Sequence, residues 1–453
     1  MRGLALAAGA LLAPAAALAA AFAGVEVPPP PAPRPVFDTH WGVKVEDPYR
    51  FLENTADPEV QKLMRAQADA AQAILDRIPG RDKLLARLRE IDDATPAVVG
   101  AVQRDDKGTL YYLKRDAKAN QLKLYTRAAS GGEEALLVDP EAESRAAGKP
   151  HAINGFTVSP DGRRVAFVMA VGGAEIGALR VIDTKTREEV QPRTDRVRGG
   201  QVGWLPDSSG FFYGRLAEGY EKRPRAERFM DVLSYLRRLD APAADKAVFG
   251  PGLHPEVDID RSSSGALFVA RGTGLVAALV YHGVDRNRSL FVADQAGVLE
   301  GKPRWRKVFD RADQVNAVAI GGGWLYAKTA KDAPRFKVIR LALPEADPAR
   351  AATVIPAGEE VIAEIAAAKE GLYVTTRRGP AKTLTRFAHE AGAKAEAVPM
   401  PFEGNIDLVD ADGDTPGLVL TLGGWTRAAK HYLLAGAGAS AAPLALAPAG
   451  RYD

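Results

Sequence analysis

A two-part pattern returns seven times between about residue 100 and residue 450 of this chain. The first part is a polar or glycine turn that opens a β run. It appears as Asp105-Asp106-Lys107-Gly108 before Leu110-Tyr111-Tyr112, as Pro160-Asp161-Gly162 before Val165-Ala166-Phe167, and as Pro206-Asp207-Ser208-Ser209-Gly210 before Phe211-Phe212-Tyr213. It returns at Ser264-Gly265, Gly322-Gly323, Glu370-Gly371 and Gly413 to Gly417, each ahead of a short apolar run. The second part is another strand, opened in turn by Leu122-Lys123-Leu124-Tyr125, Leu179-Arg180-Val181, Tyr235-Leu236-Arg237, Leu290-Phe291-Val292, Val338-Ile339-Arg340, Leu384-Thr385-Arg386 and Tyr432-Leu433-Leu434. Gly and Asp punctuate any sheet protein. Two sub-patterns kept in step for seven cycles require more: a repeat of roughly 40 to 50 residues with four short strands is a propeller blade. The expectation is a mainly β fold, a seven-bladed β-propeller over 96–453 preceded by a short α-helical segment.

The chain has 453 residues, too long for one ordinary compact core and long enough for a large repeat domain with an appendage. Its 60 Lys and Arg against 57 Asp and Glu are spread without a long run of one sign, so nucleic-acid binding has no support. Residues 1–23 read as a secretory signal: Arg2, an Ala/Leu-rich core, then small-residue sites at Ala17-Leu18-Ala19 and Ala21-Phe22-Ala23. Cleavage there would give a mature start at Ala20 or Gly24 and no membrane attachment. An uncleaved anchor is the alternative, since the apolar stretch is about long enough to span a bilayer. With no cysteine there is no lipid-modified Cys and no disulfide framework, which suits a periplasmic or secreted protein with a large core.

Residues 24–36 form a proline-rich linker, extended and semi-rigid. Within 37–95, Asp57-Pro58 is an N-cap followed by proline, opening a helix to about Ile78 with Val60, Leu63, Met64, Ile74 and Leu75 on one face. Pro79-Gly80 ends it, and a second helix from Asp82 to about Ile91 carries Leu84, Leu85 and Leu88. Two amphipathic helices ahead of an all-β ring must bury their stripes on something other than the ring's own core.

The segment Asp47-Pro48-Tyr49-Arg50-Phe51-Leu52-Glu53 resembles the N-terminal signature of the prolyl oligopeptidase family of serine peptidases, in which Phe51 is more often tryptophan. Phe156 to Gly162, Val202 to Asp207, His282-Gly283-Val284, Lys328 to Lys337 and Gly424-Trp425-Thr426-Arg427 are similar to the same family's propeller, in order and collinear from about Phe37 onward. The resemblance implies a propeller that screens the active site of an α/β-hydrolase domain, with the N-terminal helices packed on that hydrolase. It implies an oligopeptide substrate cleaved after proline, and a hydrolase that follows the propeller. In the family an aromatic before the third blade's Trp strand and an arginine in the fourth blade touch substrate. These positions fall at Gly199 and Tyr281, so both contacts depart from the pattern. Tyr281 and Arg271 are the substrate-contact candidates.

The hydrolase's G-x-S-x-G elbow is missing; Gly438-Ala439-Ser440-Ala441-Ala442 comes nearest and lacks the final glycine. Ser262, Ser263 and Ser264 read as a blade turn. His40, His151, His254, His282, His389 and His431 show no zinc-binding spacing, and Asp161-Gly162 and Asp412-Gly413-Asp414 read as turns rather than calcium loops. No catalytic triad, metal or cofactor is expected in the chain. A truncated gene, a split enzyme whose hydrolase is a separate chain, and a stand-alone propeller that binds a partner all remain open; the nucleotide sequence beyond Asp453 would separate them.

Overall fold

The computed structural model describes residues 21–240 and 244–451, and the chain divides into two compact units, up to Asp93 and from Ala94. Most of the expected leader, residues 1–20, lies outside the described residues; Ala21–Phe22 pairs with Val25–Glu26 in a two-stranded ribbon. Among the described residues no helix is long and apolar enough to cross a membrane.

In the first unit, a hairpin of Val36–His40 and Val43–Asp47 turns at Trp41-Gly42, where both residues have positive φ, as a two-residue hairpin turn matched to strand twist requires. The family-like segment is the clip that holds it. Asp47 accepts from the Tyr49 amide at 3.1 Å and from the Arg50 guanidinium at 3.0 Å, while Arg50 also pairs with Asp38 on the opposite strand. Helix α1 (Pro58–Asp76) starts where the cap predicts, with Asp57 accepting from the Glu59 amide at 2.8 Å. The proline stretch lies along α1: Pro28 to Pro31 face Val60, Leu63 and Ala66, and Gln67 donates to the Pro28 carbonyl at 3.2 Å. Helix α2 (Arg81–Asp93) buries no residue, and its Leu84 and Leu88 are 61% and 54% exposed.

The second unit is seven four-stranded antiparallel sheets, each pairing its strands in chain order. The first blade is Ala97–Arg104, Thr109–Asp116, Lys123–Ala128 and Ala135–Val138, and the seventh is Asn405–Ala411, Leu418–Gly424, Arg427–Leu434 and Ala442–Pro443. Six of the seven sequence turns join the first strand of a blade to its second. The fourth does not. Ser264-Gly265 sits inside the first strand, Ser263–Ala270, and the equivalent turn is Arg271-Gly272-Thr273-Gly274 before Leu275–His282. Ser262 is therefore in the turn before a strand, while Ser263 and Ser264 open that strand.

The second-part strands are the third of each blade, and the arginine within them has a structural use. Arg180, Arg340 and Arg386 stand directly opposite Phe167, Tyr326 and Tyr373 on the second strand. Each lies flat and nearly buried, with its charged head on a carboxylate or carbonyl at the blade's edge: Arg180 on Glu143 and Glu189, Arg386 on Glu396, Arg340 on the His389 carbonyl. The guanidinium carbon of Arg180 lies 5.1 Å from the Phe167 ring centre and that of Arg340 4.0 Å from that of Trp324, and each charged head stays paired, which lets a cation occupy a core-facing layer without a bare charge.

Among the described residues no strand is shared between the first and last blades, and side chains close the ring. Val102, Leu110, Tyr112 and Tyr125 of the first blade cluster with Val419 of the seventh and Leu446 beyond it. Beside them Arg104 reaches Asp410 at 2.8 Å and the carbonyls of Pro416 and Gly417 at 3.0 and 3.1 Å.

Candidate functional site: the axial channel

The first strand of every blade faces the ring axis, and together they enclose a cavity of about 910 Å³. Seven strands converging on one axis leave little room, and the wall is accordingly built of small and β-branched residues such as Ala317, Ala319, Ala363, Ala366, Val158 and Val269. Several of its polar side chains are tied to strands of their own or the neighbouring blade. Gln103 donates to the Phe156 carbonyl at 2.9 Å and accepts from the Val158 amide at 3.2 Å, tying the first blade to the second. Trp204 donates from its indole to the Thr157 carbonyl at 3.2 Å. Glu364 takes Lys382 at 2.7 Å and the Leu408 amide at 2.9 Å. A wall of this kind can confine and exclude.

The antiparallel order of each blade separates the two channel mouths. First-to-second-strand turns gather at one mouth, called distal here. Second-to-third-strand turns, and the points where the chain enters and leaves the ring, gather at the proximal mouth. Arg271 lines the cavity at the distal mouth, its guanidinium 3.1 Å from both carboxylate oxygens of Asp106. Tyr281 is outside the cavity lining, at the proximal end of the fourth blade, 39% exposed with the Arg288 guanidinium 4.5 Å over its ring. The structure thus puts the two substrate-contact candidates at opposite mouths. Gly199, with positive φ, is part of the link between second and third blades and does not line the cavity.

One serine and histidine pair has the spacing of a catalytic dyad. Ser263 Oγ is 2.9 Å from His282 Nδ1, and His282 Nε2 is 2.9 Å from Ser289 Oγ. The dyad reading fails on access and on the third partner. Ser263 is fully buried and Ser289 nearly so, and the ring's second nitrogen meets a hydroxyl where a carboxylate would be needed to stabilise an imidazolium. Burial holds the His282 pKa below its ordinary value, helped by the nearby Arg311 charge. The trio fastens three consecutive strands of the blade. Gly438 to Ala442 leads into the last short strand, and among the described residues no helix follows it. Among the described residues no group of three His, Asp or Glu side chains is placed to hold a metal ion. Asp161 and Asp412 both act within their own turns, accepting from the Arg163 and Asp414 amides at 3.0 and 2.8 Å.

Comparison with known proteins agrees with this architecture. Residues 28–426 match the family model for the prolyl oligopeptidase N-terminal β-propeller domain. Prolyl oligopeptidase A of Galerina marginata is 24% identical over 80% of this chain and 51% of its own length. The prolyl endopeptidase of Elizabethkingia meningoseptica is 25% identical over 81% of this chain and 50% of its own. This chain thus spans about half the length of these curated relatives. Among solved structures, a prolyl endopeptidase superposes with a TM-score of 0.77 at 23% identity, covering 92% of this chain and 59% of that one. Prolyl oligopeptidase B of Galerina marginata, bound to a 25-residue macrocyclisation substrate, gives 0.77 at 20% identity over 94% of this chain and 61% of its own. The match over most of the ring and the segment ahead of it places the chain in the prolyl oligopeptidase family, as its N-terminal segment and seven-bladed propeller.

Proposed function

We propose that this chain is the substrate-screening part of a prolyl-oligopeptidase-like serine endopeptidase that cleaves short peptides after proline, and that an α/β-hydrolase domain seats on its proximal face. The observation that carries the reading is where the apolar surface lies. Among the described residues of the propeller, six of the seven large apolar side chains that stand exposed belong to the proximal end: Val98, Val171, Phe229, Tyr281, Val284 and Trp425. Only Val190 is on the distal side. Soluble surfaces scatter such residues; their collection around one channel mouth marks a docking face. Catalysis would then belong to the hydrolase, through a serine activated by histidine and oriented by aspartate, while the ring admits short flexible peptides and rejects folded protein. Tyr281, at the proximal rim, would offer an aromatic wall to the peptide. Arg271, at the far mouth and already engaged by Asp106, would be the more distant contact.

The leader-like N-terminus supports export to the periplasm or beyond. The exported protein is expected to begin at Ala20 or Gly24, and N-terminal sequencing that finds Met1 on a membrane-bound product would favour an anchor instead.

Trp425 is the sharpest test of the docking face, because it is 96% exposed on the turn Gly424 to Arg427. A tryptophan at the centre of an interface commonly contributes 2 kcal/mol or more. Trp425→Asp is therefore expected to weaken binding of the α/β-hydrolase domain from the same source by roughly thirtyfold or more. Isothermal titration with the purified domain reads this directly. Failure of the unaltered chain to bind that domain would favour the other reading, a propeller that binds a partner of its own.

A further inference from the structure

In a ring of seven, the fourth blade stands across the channel from the seam between the seventh and the first. Arg271 is on the fourth blade's distal turn, and all its acidic partners are on the two seam blades. Asp106 of the first blade is at 3.1 Å, and Asp412 and Asp414 of the seventh are at 4.0 and 3.9 Å. The seventh blade's turn leans over the same mouth. A Cβ added at Gly413 would lie 2.2 Å from the Ile320 carbonyl oxygen of the fifth blade, so only glycine permits that seating. The Thr415 carbonyl meanwhile accepts from the Lys369 amide of the sixth blade at 3.0 Å.

We infer that the Asp412 to Thr415 turn is a strap closing the distal mouth, and that Arg271 is its latch, tying both sides of the non-covalent seam to the opposite wall of the ring. The channel is then a blind chamber loaded from the proximal side, and ionic strength sets how firmly its far end and its seam are held. The latch is partly exposed, so screening reaches it. This device goes beyond the peptidase reading and stands without it.

Hydrogen exchange on the purified chain tests it. Arg271→Ala removes the guanidinium that Asp106, Asp412 and Asp414 share. It should speed exchange on the order of tenfold in the strap, 412–417, and in the seam strands Ala97–Arg104 and Asn405–Ala411, with blades two and three unchanged. Gly413→Val, which leaves every charge in place, should do the same by unseating the strap. Raising NaCl to about 1 M should reproduce part of the effect in the unaltered chain and none of it in Arg271→Ala. If Arg271→Ala does not fold, Arg271→Gln carries the test. Acceleration confined to residues 271–274, acceleration of all blades alike, or no acceleration at the strap and seam would each overturn the latch.

Discussion

Arg104→Ala is expected to lower the unfolding free energy by about 3 kcal/mol, the penalty for stranding a mostly buried carboxylate whose partner is removed. Arg104 serves one carboxylate and two carbonyls of the seventh blade from a nearly buried position, at the only junction of the ring that has no covalent connection. A urea titration should show a lower midpoint with the slope unchanged. Arg104→Lys keeps the charge, loses the fork and is expected to fall between.

The same variant has a pH signature. Burial raises the Asp410 carboxyl above its ordinary pKa, against the pull of Arg104. Without Arg104 that pull is gone, and the folded-state value rises further. A carboxyl raised in the folded state keeps its proton where the unfolded chain has released it. The folded state therefore loses ground as pH rises from about 3.9 through the folded pKa. The deficit of Arg104→Ala relative to the unaltered chain should shrink as the pH is lowered towards 4. A deficit independent of pH would mean that the lost contacts with Pro416 and Gly417 account for the effect.

Much of the ring was legible because the turn and the opening of the third strand are local signals repeated in register. Six turn phases come out right for that reason. The fourth slipped by one strand, since Ser264-Gly265 ahead of Leu267-Phe268-Val269 looks like the usual turn while the true one, Arg271 to Gly274, comes at the other end of that run. The slip also hid the place of Arg271 in the channel. Asp57 and Pro58 set the start of α1 from two residues, a cap that needs no tertiary information. The seam pair was not readable, because Arg104 and Asp410 are 306 residues apart and neither carries a motif. Nor was the Ser263, His282 and Ser289 trio, whose partners meet only once the strand register is known.

The purified chain is expected to leave a proline-containing peptide amide uncleaved and to keep its mass after treatment with a serine-directed phosphonate. Enzymes of this chemistry owe rate gains of a millionfold and more to an activated nucleophile facing preorganised donors. Here Ser263, the serine with a histidine at bonding distance, is fully buried and has no carboxylate behind that histidine. The sequence holds no G-x-S-x-G elbow. Intact-mass spectrometry after labelling is the check. Stoichiometric modification of any serine would place catalytic machinery within this chain and overturn the division of labour proposed for it.

The docking face is tested most directly by hydrogen exchange of the chain mixed with the α/β-hydrolase domain of the same source. Slowed exchange is expected at the proximal turns around Val284 and Trp425 and along α2, whose leucines are uncovered. The distal turns at Asp106, Arg271 and Asp412 should be unchanged. Protection of the distal turns with the proximal ones unaltered, or no protection anywhere at saturating hydrolase, would contradict the proposal that this propeller screens peptides for a hydrolase seated on its proximal mouth.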